Sequence, residues 1–142
     1  LKNSLHALLE TISDITDRET LGEFLIETAA RYQDLPTTVC QRPYPEDHRI
    51  VGCESEVYLW LRYIENRSKF FFAVENPQGI SAKALAVILD ESFSGLKREE
   101  LHTEALSLAP DLVFTIFGRN LTIGRGQGLQ SMVATVKRLA LS

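Results

Sequence analysis

The sequence predicts a single α+β domain over residues 1–142, with a small antiparallel sheet of about three strands flanked by helices. Apolar residues recur with helical spacing near both ends of the chain, while a two-residue alternation and a phenylalanine-rich run sit together in the middle. A chain of 142 residues with 44% hydrophobic and 24% charged residues can bury one core without metals or disulfides to hold it together.

The elements follow in order. Leu5, Leu8, Leu9 and Ile12 fall at i, i+3, i+4 and i+7 and line one face of a short first helix. Thr16-Asp17-Arg18-Glu19 has the form of a capping box, in which Thr16 and Glu19 satisfy exposed amides at the start of a second helix. Leu21, Phe24, Leu25, Thr28, Ala29 and Tyr32 carry that helix to about Gln33, and Pro36 marks its end. Residues 35–48 hold Pro36, Pro43 and Pro45 without an apolar period, and read as a long connector.

Residues 49–51 offer an additional edge strand. Beyond Cys53, Ser55, Val57, Leu59 and Leu61 alternate with Glu54, Glu56, Tyr58 and Trp60, the period of a strand. Glu65-Asn66-Arg67-Ser68 has turn composition, and residues 69–75 are rich in phenylalanine, which completes a hairpin with Cys53 at its entrance. Asn76-Pro77-Gln78-Gly79 is a turn, and Ser81 is the expected N-cap of a helix that turns Leu85, Ala86, Ile88 and Leu89 inward. Residues 96–106 read as a further helix. Residues 111–117 stay open between strand and helix, because Val113-Phe114-Thr115-Ile116-Phe117 favours strands while Pro110-Asp111 opens helices. Leu129, Met132, Val133, Val136 and Leu139 trace a last amphipathic helix that starts near Gly124, Gly126 and Gly128.

Composition excludes several functions. A net charge of −4 makes nucleic acid a poor partner, since phosphate binding needs clustered Lys and Arg. The longest apolar runs are far too short to cross a membrane. Cys40 and Cys53 are too few for a secreted disulfide scaffold and form no CxxC pair, which favours a reducing compartment, although the two could pair with each other. The chain begins at Leu1, so its N-terminus is silent on address.

Val51-Gly52-Cys53-Glu54-Ser55-Glu56-Val57 places a thiol beside a glycine, which can take backbone angles that other residues resist. This reads either as a reactive thiol on a turn or as a small buried hydrophobe, and the heptapeptide alone favours the second. A Cys53–His48 pair is conceivable, but no third, orienting residue is in view. His6, His48 and His102 form no zinc-spaced set with the cysteines, and read as solvated or capping residues. Gly124-Arg125-Gly126-Gln127-Gly128 lacks GxxxxGK[ST], and Leu129 stands where GxGxxG needs its third glycine, so the segment reads as an anion-tolerant turn rather than a nucleotide cradle. Asp90, Glu91, Glu99 and Glu100 read as solvated helix ends or surface charge, and Phe70-Phe71-Phe72 as core.

Taken together, these segments resemble the SufE family of sulfur acceptor proteins, which work with a cysteine desulfurase in iron–sulfur cluster assembly. The anchors are Gly52-Cys53-Glu54-Ser55-Glu56-Val57 and Arg125-Gly126-Gln127-Gly128-Leu129-Gln130-Ser131-Met132, in this order and at this separation, within a likeness running over residues 21–140. The resemblance implies a fold similar to iron–sulfur scaffold proteins and favours helix for residues 111–117. It implies that Cys53 carries sulfur as a persulfide on a loop beside an apolar cavity, with Arg125 near that loop in support. It further implies a cysteine desulfurase as donor and activated partner, a downstream iron–sulfur scaffold protein as recipient, no metal or resident cofactor of its own, and pyridoxal phosphate in the desulfurase only. Bacterial cytoplasm is the implied location, with plastid stroma the alternative.

The alternative readings are an iron–sulfur or zinc-binding scaffold of similar fold, for which two cysteines are few, and an activator of the desulfurase that carries no sulfur. Glu54 and Glu56 depart from the neutral residues many members carry there, and an acidic rim disfavours a thiolate. The turn Asn76-Pro77-Gln78-Gly79 departs too, replacing a short acidic or serine-containing segment before the helix that bears Lys83. Cys40 lies outside both anchors and reads as structural or incidental.

Overall fold

The computed structural model describes residues 4–52, 56–76, 78–118, 121 and 123–142, with backbone alone for 123–125. Its elements run α1 (Ser4–Ser13), α2 (Arg18–Ala29), a 3₁₀ turn (Glu46–His48), β1 (Val57–Ile64), β2 (Arg67–Val74), α3 (Ile80–Phe93), α4 (Arg98–Leu106), α5 (Leu112–Phe117) and α6 (Ile123–Leu141). The α+β architecture expected from the sequence is present, and residues 111–117 resolve as helix.

α3 is the hub. Ala82, Ala84, Leu85, Ala86, Val87, Ile88, Leu89 and Phe93 are all buried along it, so it is apolar nearly all round, as a central helix must be. It packs against β2, α1, α2 and α6, and α4 and α5 complete the layer against α6. Val57, Leu59, Phe70, Phe72 and Val74 project from one face of the hairpin into this core.

The hairpin pairs Val57 with Val74 through to Ile64 with Arg67. Its two-residue turn puts Glu65 and Asn66 at φ 53° and 67°, the left-handed pair whose twist matches that of the flanking strands. Tyr58, Trp60 and Ala73 face the other way, yet they too are buried, because Leu35, Val39, Cys40 and Tyr44 of the connector close over them. The proline-rich connector is thus a layer of the fold, fastened by a bidentate Arg42–Glu75 pair at 2.6 and 2.9 Å. On the helical side, Ser68 is buried at the start of β2; its hydroxyl donates to Phe93 O at 2.6 Å and accepts from Leu96 N at 3.1 Å.

Several local expectations need correction. The sheet has two strands among the described residues, and the third shrinks to a single antiparallel bridge between Arg49 and Tyr58. The chain runs alongside β1 only briefly: Ile50 N donates to Val57 O at 2.9 Å, and then Gly52 at φ +86° turns it away. One step further along the same edge, the His48 imidazole Nδ1 reaches Leu59 O at 3.0 Å, where a third strand would have placed an amide.

α2 is capped by Asp17, whose carboxylate accepts from Thr20 N at 2.9 Å, and not by Thr16. It stops at Ala29 rather than about Gln33, because Tyr32 is diverted: its hydroxyl accepts the Val74 amide at 2.8 Å and ties the helix exit to the end of β2. α3 starts from Gly79, which leaves Ser81 inside the helix; Asn76 Oδ1 accepts from Gln78 N at 3.0 Å and shapes the approach. α6 starts at Ile123, near the glycines as expected, but Gly126 and Gly128 are buried inside it, so this part of the segment is helix and not a turn.

Candidate functional site

The connection 51–56 between the Arg49 bridge and β1 carries the motif cysteine. Cys53, Glu54 and Ser55 lie outside the described residues, as does the Arg125 side chain, but the segments on either side of the cysteine are held. On one side is the Ile50–Val57 hydrogen bond. On the other, Glu75 N donates to Glu56 O at 2.9 Å, which ties the entry to β1 to the exit of β2.

Gly52 brings the two sequence anchors together. A Cβ built on it would come within 3.3 Å of Ser131 Oγ, a tight approach, and its positive φ is one that a side chain resists. Ser131 sits on α6 within the second anchor, and its hydroxyl donates back to Gln127 O at 3.1 Å, one turn earlier. The residue before the cysteine is therefore packed on the helix that carries Arg125 in its first turn.

Beside this contact runs an open groove of about 440 Å³. Leu59, Leu61 and Leu139 form its apolar wall, while His48, Arg49, Ser131 and Arg138 supply polar groups. Val51, next to the cysteine loop, lines the groove and is 86% exposed. The rim carries both signs: Arg138 and Arg49, the latter 3.8 Å from Glu46, are cationic, and Asp47 is anionic.

His48 is not the solvated residue that the sequence suggested. Its ring stacks on Trp60 at 4.9 Å with an 18° interplanar angle, and its Nδ1 is committed to Leu59 O. Because a carbonyl only accepts, that contact assigns the Nδ1 proton and leaves Nε2 as the ring's remaining site. His6 pairs with Glu10 on α1, and His102 is exposed on α4. Among the described residues no three His, Cys, Asp or Glu side chains are grouped to hold a metal ion.

Glu56 is accounted for by the same side of the sheet that the connector covers. Its carboxylate accepts from Tyr58 Oη at 2.7 Å. That hydrogen bond, with burial behind it, pushes the Tyr58 phenol up to about 12. The carboxylate is bound to the connector-side aromatic cluster, whereas Ser131 and the groove lie with Leu59 and Leu61. Glu54 falls outside the described residues.

The acidic residues on α3 and α4 are surface and helix-end charges, as expected, and three of them have partners. Asp90 takes the Lys69 ammonium at 2.8 Å, Glu91 takes Arg31 at 3.1 Å, and Glu100 accepts from Lys97 N at 2.9 Å at the start of α4. Phe70 and Phe72 are core as expected, while Phe71 packs on the connector side, with Lys69 Nζ 5.4 Å from its ring centroid. Cys40 is a free, partly buried thiol packed on the aromatic cluster. Sequence reasoning missed the Gly52–Ser131 contact and Arg138, for which no local signal existed.

The model of the SufE Fe-S metabolism associated domain matches residues 6–140. The chain belongs to the SufE family. SufE-family membership associates it with iron–sulfur metabolism. The fold also resembles the solution structure of a hypothetical protein from Thermus thermophilus, with a TM-score of 0.72 at 20% identity, covering 99% of this chain and 95% of that one. A sequence search of curated proteins gives no match. No helix among the described residues of this SufE-family chain is long and apolar enough to cross a membrane.

Proposed function

We propose that this protein accepts sulfur from a cysteine desulfurase onto Cys53, stimulates that enzyme by relieving it of its product, and passes the sulfur on for iron–sulfur cluster assembly. The observation that carries the reading is the packing of Gly52, the residue before Cys53, against Ser131 in the segment that begins at Arg125. Two motifs far apart in sequence meet at one place, within a chain matched by the SufE model over residues 6–140.

The chemistry is a thiol exchange. The Cys53 thiolate attacks the outer sulfur of the donor's persulfide; a new S–S bond forms on Cys53 as the donor's S–S bond breaks, and the donor cysteine leaves as a thiolate. The electrons balance without an external oxidant. The rate depends on thiolate fraction, leaving group and access. Burial in an apolar site holds a thiol protonated and slow, which protects a stored persulfide from stray thiols. Cationic groups drawn close on docking favour the thiolate; Arg125 is one candidate from the motif, and Arg49 on the groove rim is another. Pyridoxal phosphate chemistry belongs to the desulfurase.

Incubation with a cysteine desulfurase, pyridoxal phosphate and cysteine, followed by intact-mass measurement, tests the reading. One added sulfur atom, removed by reductant, absent in Cys53→Ser and retained in Cys40→Ser, is the expected result. Desulfurase stimulation that survives Cys53→Ser would instead make the protein an activator that carries no sulfur. Metal-dependent mass or visible absorbance would make it a scaffold.

A further inference from the structure

Charge is distributed very unevenly along this chain. Of its 15 basic and 19 acidic residues, four basic and no acidic residues fall within 112–142, which gives that stretch +4 and leaves −8 on the remainder. Most of the stretch is α6, the helix on which Gly52 is packed. Lys137 and Arg138 stand in its last two turns, and among the described residues neither is paired with a carboxylate.

The shape of this face is as particular as its charge. The groove lined by Val51, Ser131 and Arg138, with one carboxylate at Asp47, runs along one flank of α6, and a second groove of about 300 Å³, lined by Leu108, Pro110, Leu112 and Val133, runs along the other. Ala134 lines both and is exposed, so the ridge between them is low. A partner can straddle the ridge, place apolar side chains in both grooves and meet Lys137 and Arg138 at one end. The cysteine loop borders the first groove through Val51.

We infer that the outer face of α6 is the docking surface for the sulfur donor, and that the donor meets it with an acidic protein surface. The inference rests on the carrier reading above and adds the place and chemistry of docking. A cationic face on a chain of net charge −4 orients an approaching acidic partner and turns the repelling remainder away, which raises productive encounters and makes them sensitive to salt. Continuity between the grooves and the cysteine loop brings the donor's persulfide to the same edge.

The test uses the full chain, a cysteine desulfurase that loads it, and glutathione persulfide as a donor too small to need docking. In Lys137→Glu/Arg138→Glu, the protein concentration giving half-maximal desulfurase stimulation should rise at least tenfold at low salt, and the difference should shrink as salt is added. Loading by glutathione persulfide should not change, and Arg18→Glu, a charge reversal half as large at the start of α2, should behave as wild type. Ala134→Trp, which raises the ridge without altering charge, should weaken stimulation similarly and shows that the effect is not one of fold. Unchanged stimulation in the α6 variants, with Cys53 still loaded by the desulfurase, overturns the docking surface and leaves the carrier reading standing. If the α6 variants lose binding to vesicles of anionic phospholipid while desulfurase loading is unaltered, the charge serves a lipid surface and the inference also fails. No loading of wild-type Cys53 by either donor removes the carrier reading and the inference together.

Discussion

Gly52→Ala probes whether the approach to the cysteine loop is held against α6. The glycine sits at φ +86°, where an L-residue is disfavoured by about 1–2 kcal/mol. The new methyl would also come within 3.3 Å of Ser131 Oγ, so that either the serine or the loop has to yield by a few tenths of an ångström. If the loop keeps its place, the full penalty appears as lost stability, a fall in Tm of roughly 3–6 °C for a domain of this size. If the loop lifts off α6, the loss is smaller, but Cys53 becomes more accessible. Both quantities can be followed in a Cys40→Ser background, by thermal unfolding and by the rate of Cys53 alkylation with iodoacetamide. Ser131→Ala in the same chain removes the crowded oxygen and should restore only the part of the effect that comes from contact, leaving the part that comes from φ. A Gly52→Ala protein with unchanged Tm and unchanged alkylation rate would refute the reasoning, because neither the backbone angle nor the contact would then constrain the loop.

Two further outcomes test the fold around the site. Ser68→Ala leaves Leu96 N–H and Phe93 C=O without the buried hydroxyl that serves both, and should cost about 1–3 kcal/mol in urea unfolding with no change in Cys53 loading. The Tyr58 phenol has its pKa raised to about 12 by the Glu56 carboxylate and by burial, above the ordinary value of 10.0. Folding therefore favours the protonated phenol; its contribution is fully present below about pH 10 and is lost as pH rises toward 12. Unfolding free energy followed across that window should fall in the wild type, and should fall less steeply in Tyr58→Phe.

Helices were legible where their signal was local. The apolar spacing of Leu5 to Ile12 and of Leu129 to Leu139 foretold α1 and α6, and the alternation around Leu59 foretold β1. The ends were less legible because neighbouring residues offered equally good chemistry: Asp17 and Thr16 can both cap, and only the chain's path chooses Asp17. α2 stops early for a reason no local pattern contains, the hydrogen bond from the Val74 amide to the Tyr32 hydroxyl across the fold. The connector could be recognised as irregular from its prolines, but its service as a layer over Tyr58 and Trp60 depends on contacts between distant segments. At the site, motif order made Cys53 and Arg125 the candidates, and both side chains lie outside the described residues. That Gly52 meets Ser131, and that His48 is spent on Trp60 and Leu59 O, required the three-dimensional arrangement.

A two-stranded ribbon exposes unpaired backbone groups along both edges, an invitation to pairing with other chains. Here the outer edge of β1 is closed by unlike devices in succession, the Ile50 amide on Val57 O and the His48 ring on Leu59 O, and β2 is closed near its start by a bridge from Arg67 to Lys97. The protein thus guards against edge-to-edge self-association without lengthening its sheet. Because a side chain rather than a strand completes the guard on β1, Val51 and Gly52 can turn away from the ladder without opening the sheet to its neighbours.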